Sequence, residues 1–309
     1  MISEMIAFIK AHACEGLWLQ TDPVPEIQAD DVLIRIQKNG HLRRGYPYLE
    51  LLGEGHLIGK QSRQSRAGKF HLDPETRGIG VTEPGAFAEY LRLPAFKVVP
   101  LPDVISDDIG AIPDPLGNAV HTALSFDLLG EDMLITSAGP IGIMAAAIAR
   151  HAGARNVVIT DIIQDRLDLA ATLSDVVPVN VRKHDLSDVQ TQLKIAQGFY
   201  IGLEMSGNQI ALNQMIEALV MGGRIALLGI PPGKSSVDWS RIVFKAIAIK
   251  GIYGREIFET WYKMIAMLQN GLDVSGVITH RFKMKDYAKG FATMKSGQSG
   301  KVVLGWRDC

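Results

Sequence analysis

Cysteine is nearly absent from this chain of 309 residues, with Cys14 and Cys309 the only two. A pair at the extremes makes no disulfide framework, so a reducing cytoplasm is the expected compartment. An excess of one charge is lacking too. Lys+Arg 32 against Asp+Glu 33 leaves a net charge of −1, so no bulk field draws the chain to nucleic acid or to a membrane. The opening MISEMIAFIK has Glu4 inside its one apolar run and no cleavage signature, which argues against a secretory signal. The longest uncharged stretch, Met133 to Ala149, approaches the length of a membrane span, but a tight-turn cluster breaks it. Internal repeats and low-complexity segments are also missing. What remains is 47% hydrophobic and long enough for two domains with a large core.

The most informative stretch runs from Glu131 to Asp161. The β-formers Met133-Leu134-Ile135-Thr136 meet the turn Ser137-Ala138-Gly139-Pro140-Ile141-Gly142, and an Ala-rich helical run follows until Gly153. Asn156-Val157-Val158-Ile159-Thr160 reads as a second buried strand closing on Asp161. Strand, glycine turn, helix, strand and acid is the order a dinucleotide site requires. Gly139 lets the backbone approach a pyrophosphate, Gly142 lets the helix pack close to the strand, and the helix N-terminus offers free N–H groups to phosphate. Asp161 is placed to accept hydrogen bonds from a ribose diol and to repel a 2′-phosphate, which favours NAD over NADP. Ser137 stands where G-x-G-x-x-G has its first glycine; the flanking strand and acid restore most of that signal. The competing reading is an apolar βαβ unit that binds nothing.

Around this stretch the periodicity changes character. Residues 1 to about 38 alternate short strand-like runs with turns, including Asp31 to Ile36. From Gly40 to Leu72 the pattern fails, and six Lys/Arg at 43, 44, 60, 63, 66 and 69 stand in a stretch without an RNA-binding signature, so a solvated lobe is expected. Strand character resumes at Gly85 to Leu91, and a helix is predicted from Gly117 to Leu124. Beyond Asp161, helices around Arg166–Ala171, from Asp185 and over Ile210–Val220 alternate with strands at Val176–Val181, Tyr200–Met205, Arg224–Ile230 and Ile242–Gly251. That alternation predicts an α/β fold with a doubly wound parallel sheet. A helix at Glu256–Leu268, a strand at Val277–Phe282 and a terminal Lys301–Leu304 strand complete the chain.

The segment Asp114-Pro115-Leu116-Gly117-Asn118-Ala119-Val120-His121-Thr122-Ala123-Leu124-Ser125-Phe126 resembles the interdomain helix of medium-chain dehydrogenase/reductases, and within that superfamily of the L-threonine 3-dehydrogenase family. So do AGPIGIMAAA, ARNVVITD, GLEMSG, GGRIALLGIPP, KGIYGREIFETWYKM, THRF and SGQSGKVVL, and the resemblance covers 15–38 and nearly everything from Gly53 onward. It implies a GroES-like, β-rich catalytic domain over 1–116, shortened around 39–52 and completed by 256–309, with a Rossmann NAD-binding domain at 117–255. It also implies a cytoplasmic homotetramer that oxidises a small-molecule substrate, L-threonine, with NAD. Carried onto matching positions, NAD would be held by Ile141, Asp161, Arg166, Leu228, Gly229, Ile230, Ile252 and Tyr253, together with Gly139 and Gly142 of the turn. His56 matches a histidine beside the family's substrate pocket, and Asp114 an acidic position near its catalytic zinc. Without the resemblance, Asp114 before Pro115 is a turn residue and His56 a surface histidine.

The departures concern zinc. Between Lys38 and Gly53 only fourteen residues, NGHLRRGYPYLELL, replace the family's longer ligand-bearing segment, and none is a cysteine. Gly40-His41 is followed by Leu42 where an acid should stand. The family's structural zinc spacing survives as Gly59, Ser62, Ser65 and Asp73; glycine has no ligand and serine is a poor substitute for thiolate, so metal ligands are expected to be lost and the lobe to be loose. Two alternatives therefore stand beside an impaired threonine dehydrogenase: a zinc-independent medium-chain reductase, and a non-catalytic NAD-binding subunit.

Overall fold

The computed structural model describes residues 3–9, 18–40 and 55–306. Cys14, His41, Leu42, most of the 39–52 segment and Cys309 lie outside them. Contacts divide the chain into two compact units, one made of 1–114, 256–261 and 278–309, the other of 115–255 and 262–277.

The first unit is β-rich. In β1 (Glu4–Ile9) Met5 and Ala7 are buried between exposed Glu4 and Ile6, the period-two pattern of a half-buried strand, and it pairs antiparallel with β2 (Trp18–Pro23). Next come β3 (Asp31–Arg35), β4 (Lys38–Gly40), β5 (His56–Leu57), the short helix α1 (Arg63–Arg66), β6 (Arg77–Gly78) and β7 (Tyr90–Pro94), with β3 antiparallel to β7 and β5 to β6. A short helix α2 (Asp107–Gly110) is capped by the Ser106 hydroxyl and leads to α3 (Pro113–Ala123).

The second unit is a six-stranded sheet with helical crossovers. Its elements are β8 (Asp132–Thr136), α4 (Pro140–His151), β9 (Asn156–Asp161), α5 (Gln164–Leu173), β10 (Val177–Asn180), α6 (Leu186–Gln192), β11 (Phe199–Glu204), α7 (Gln209–Ala218), β12 (Leu219–Leu227), α8 (Trp239–Phe244) and β13 (Ala248–Gly251). The strand order is β10-β9-β8-β11-β12-β13 with every neighbouring pair parallel, so the winding reverses between β8 and β11. Ligands of such sheets sit outside the strand C-termini at that switch point. β8 is buried along its whole length, as a central strand covered on both faces must be. α4 starts with Pro140 in its first turn, and Gly153 at φ +92° ends its run, a conformation that favours glycine.

After α9 (Glu259–Gln269), the chain returns to the first unit through β14 (Ile278–Lys283), α10 (Tyr287–Ser296) and β15 (Lys301–Gly305), which pairs with β14 and with β4. Ile36, Phe87 and Leu93 share one core with Met284, Leu304 and Trp306, so both chain ends build it.

Three details differ from the sequence expectations. The predicted strand over Ile242–Gly251 is helix at its start: the Asp238 carboxylate caps the Arg241 N–H of α8 at 3.2 Å, and only Ala248–Gly251 pairs as strand. The helix expected to reach Val220 stops at Ala218, because Leu219 already begins β12. Residues 262–277 group with the second unit, where a Cβ on Gly276 would overlap the Leu173 side chain. Among the described residues, no helix is long and apolar enough to cross a membrane.

Candidate functional site

The turn after β8 is built by close backbone approach. Ser137 sits in the left-handed region at φ +75°, where the motif's first glycine would be at ease. Its carbonyl oxygen occupies the space a Cβ on Gly142 would fill, so only glycine fits there. The Gly139 N–H donates to the Ser137 hydroxyl at 3.3 Å, and the Ser137 N–H donates to the Thr160 carbonyl at 2.8 Å, tying the turn to β9. The first turn of α4 thus presents the N–H groups of Ile141 and Gly142, which lack an intrahelical partner by their position and suit an anion.

Asp161 joins the two halves of the motif. One carboxylate oxygen accepts the Ala138 N–H at 2.9 Å; the other accepts those of Ile162 and Ile163 at 2.7 and 3.0 Å. The Arg166 guanidinium lies 3.9 Å from it, with both side chains largely buried. A carboxylate offers about four lone-pair sites, so three N–H bonds fix its orientation and leave capacity for a ribose hydroxyl.

The remaining expected cofactor residues stand at the same, C-terminal edge of the sheet. Leu228 and Gly229, just beyond β12, each donate a backbone N–H to the Glu204 carbonyl at 2.9 Å, and the Ile252 N–H beyond β13 donates to Leu227 at 2.9 Å. Ile230 and Tyr253 are exposed while Ile252 is buried. The second unit therefore brings Gly139, Ile141, Gly142, Asp161, Arg166, Leu228–Ile230 and Ile252–Tyr253 to one sheet edge. His56 and Asp114 belong to the first unit. His56 is half-buried in β5 opposite Gly78, and Asp114 is buried in the first turn of α3.

One residue of this edge escaped the sequence reading. Glu204, buried at the end of β11, accepts hydrogen bonds from Thr136, Ser206 and Gly207. The available signal was a lone acid ending the apolar strand FYIGLE.

The lobe with the vestigial zinc spacing does not fit a zinc ion. The Ser62 hydroxyl donates to the Asp73 carboxylate at 3.2 Å, and the buried Ser65 hydroxyl donates to the same oxygen. The Glu75 side chain fills the space beside Gly59, where a fourth ligand would project. Among the described residues, no group of three or more His, Cys, Asp or Glu is placed to hold a metal. The looseness expected from lost metal bonds is offset by these contacts: Ser62 also caps α1 through the Ser65 N–H at 3.1 Å, and Asp73 accepts the Glu75 N–H at 2.8 Å.

The Ser65 hydrogen bond above all, with help from Glu75 and Ser62, holds the Asp73 carboxyl below its ordinary range despite its burial. A carboxyl whose folded pKa is depressed contributes stability that is present above the unfolded pKa and lost as pH falls through the folded value. Acid unfolding of the wild type should therefore cost this lobe its Asp73 contribution below about pH 4. Asp73→Asn should be less stable at pH 7, with the gap closing as acid protonates the wild-type carboxyl. Thermal unfolding of both proteins from pH 7 to pH 3 checks this, and a gap independent of pH would contradict it.

Comparison with known proteins agrees with this geometry. Residues 140–270 match the family described as zinc-binding dehydrogenase. The fold is that of solved alcohol dehydrogenases. An NADH complex of a dehydrogenase (rspB) from Escherichia coli CFT073 superposes with TM-score 0.89 at 19% identity, over 98% of this chain and 100% of that one. A zinc-binding dehydrogenase from Sinorhizobium meliloti 1021 bound to NADP gives TM-score 0.87 at 18% identity, over 99% and 100%. The fold is thus that of a two-part dehydrogenase, a Rossmann unit with a β-rich companion. At higher identity, the L-threonine 3-dehydrogenase of Ruegeria pomeroyi is 63% identical over 98% of this chain and 100% of that protein, and an Escherichia coli one is 49% identical over the same shares. The chain belongs to the L-threonine 3-dehydrogenase family. The alignment with the Ruegeria protein runs over 344 positions, 35 more than the 309 residues present here.

Proposed function

We propose that this chain oxidises the β-hydroxyl of L-threonine, passing hydride to NAD and releasing a proton, to give 2-amino-3-oxobutanoate and NADH. The observation that carries the reading is the Ser137–Gly142 turn locked onto Asp161, in a chain 63% identical to a threonine dehydrogenase. In this reading the N-terminus of α4 takes the pyrophosphate, Asp161 the adenosine ribose with Arg166 alongside, and Leu228–Ile230 with Ile252–Tyr253 the nicotinamide half. Asp114 handles the proton, and His56 contacts the substrate. The residues present do not support the zinc that the family name implies, so what remains is positioning and proton transfer, with turnover reduced accordingly. Threonine-dependent NADH formation tests the reading; NADH consumption with a quinone but not formation with threonine would favour a reductase instead.

Asp161 also sets cofactor choice. A 2′-phosphate would face its carboxylate and lose the ribose hydrogen bonds, so NADPH should bind about tenfold to a hundredfold more weakly than NADH. We further propose a cytoplasmic homotetramer. Its support is the sheet edge at β13, where Ile249 is exposed and no further strand pairs among the described residues, together with exposed Trp239, Val243 and Phe244 of α8, an apolar surface suited to a second copy.

A further inference from the structure

Glu204 is 1% exposed, ends β11 opposite Thr136 of β8, and so stands at the switch point of the sheet. One of its carboxylate oxygens accepts the Thr136 hydroxyl at 3.1 Å and the backbone N–H groups of Ser206 and Gly207 at 3.0 Å each; the Ser206 hydroxyl donates to it as well. The other oxygen accepts the Gly207 N–H at 3.2 Å and fills the space where a Cβ on Gly229 would lie. Thr136 in turn accepts the Met205 N–H at 3.2 Å. The Glu204 carbonyl takes the N–H groups of Leu228 and Gly229. The carboxylate thereby ties the end of β8 to the Met205–Gly207 turn and packs against Gly229, while the Glu204 main chain anchors the Leu228–Ile230 turn. A carboxylate suits the place because the backbone there supplies only donors, which an amide nitrogen could not accept.

We infer that Glu204 is a positioning residue for the nicotinamide half of the cofactor: it sets the two turns that wall that half and leaves the adenosine half, ordered by Asp161, untouched. This rests on the dinucleotide reading above. Hydrogen bonds to a charged acceptor are the strong kind, so Glu204→Gln should weaken NADH about tenfold to a hundredfold. AMP, which probes only the adenosine half, should keep its affinity within about twofold. The experiment titrates NADH and AMP against the purified wild type and Glu204→Gln, with thermal unfolding of each. Should Glu204→Gln not fold, Thr136→Val, which keeps the side-chain shape but removes one donor to Glu204 and the acceptor of the Met205 N–H, should show the same split in milder form. Parallel weakening of NADH and AMP would reduce Glu204 to general support, and no change in either would also overturn the inference. A wild-type protein that binds neither NADH nor AMP would instead defeat the dinucleotide reading, and this inference with it.

Discussion

L-Threonine oxidation by this chain should run at least ~10³-fold slower than in a family member whose zinc ligands are intact, a deficit of about 4 kcal/mol in transition-state stabilisation. The basis is the sequence: no cysteine lies between Lys38 and Gly53, and Leu42 follows Gly40-His41 where an acid should stand. A Lewis acid on the substrate oxygen would have supplied several kcal/mol. A positioned acid–base group, the role proposed for Asp114, supplies only ~10²–10⁴-fold, too little to stand in for a Lewis acid as well. Orientation by the NAD-binding unit persists, because it depends on residues far along the chain from the altered segment. Steady-state NADH production from L-threonine, with and without added zinc, measures the deficit. Turnover near that of an intact relative would show that another group replaces the metal; Asp114→Asn should then abolish activity, and His56→Ala should mainly shift the substrate range.

The second large effect concerns one methyl group. In Gly142→Ala the added Cβ meets the Ser137 carbonyl, a backbone group held by its own N–H bond to Thr160 and by the left-handed conformation at Ser137. Neither partner is a flexible side-chain end, so the turn must open and α4 must move away from β8. Overpacking of this kind costs about 1–3 kcal/mol, and here it falls on the phosphate-binding turn itself. Thermal unfolding should drop by about 5 °C, and NADH affinity should fall at least ~100-fold. Gly139→Ala makes the contrast. Its Cβ would meet only the Ser137 hydroxyl at 3.5 Å, an ordinary contact, so stability should hold while the methyl intrudes on the phosphate. Equal loss of stability in the two variants would contradict this division of roles.

The Rossmann unit could be read from the sequence because its signals are local. Buried parallel strands are continuous apolar runs, Pro140 and Gly153 mark the ends of α4, and Asp161 closes β9. α8 was not legible, because Ile242-Val243-Phe244 has strand-like residues and only the Asp238 cap commits it to helix. Glu204 could be seen as an oddity in FYIGLE, yet its role depends on Thr136 and Gly229, brought to it by parallel pairing across 68 and 25 positions of sequence. In the vestigial zinc lobe, the sequence spacing shows which ligands are missing. That Asp73 would turn inward to gather two serines follows only from the folded loop.

Fluorescence titration of the purified protein with NADH and with NADPH tests the NAD-dependent dehydrogenase reading most directly, since it interrogates Asp161 without requiring turnover. Saturable NADH binding, with NADPH weaker by about tenfold or more, is the expected result. Equal affinities, or no binding of either, would contradict it.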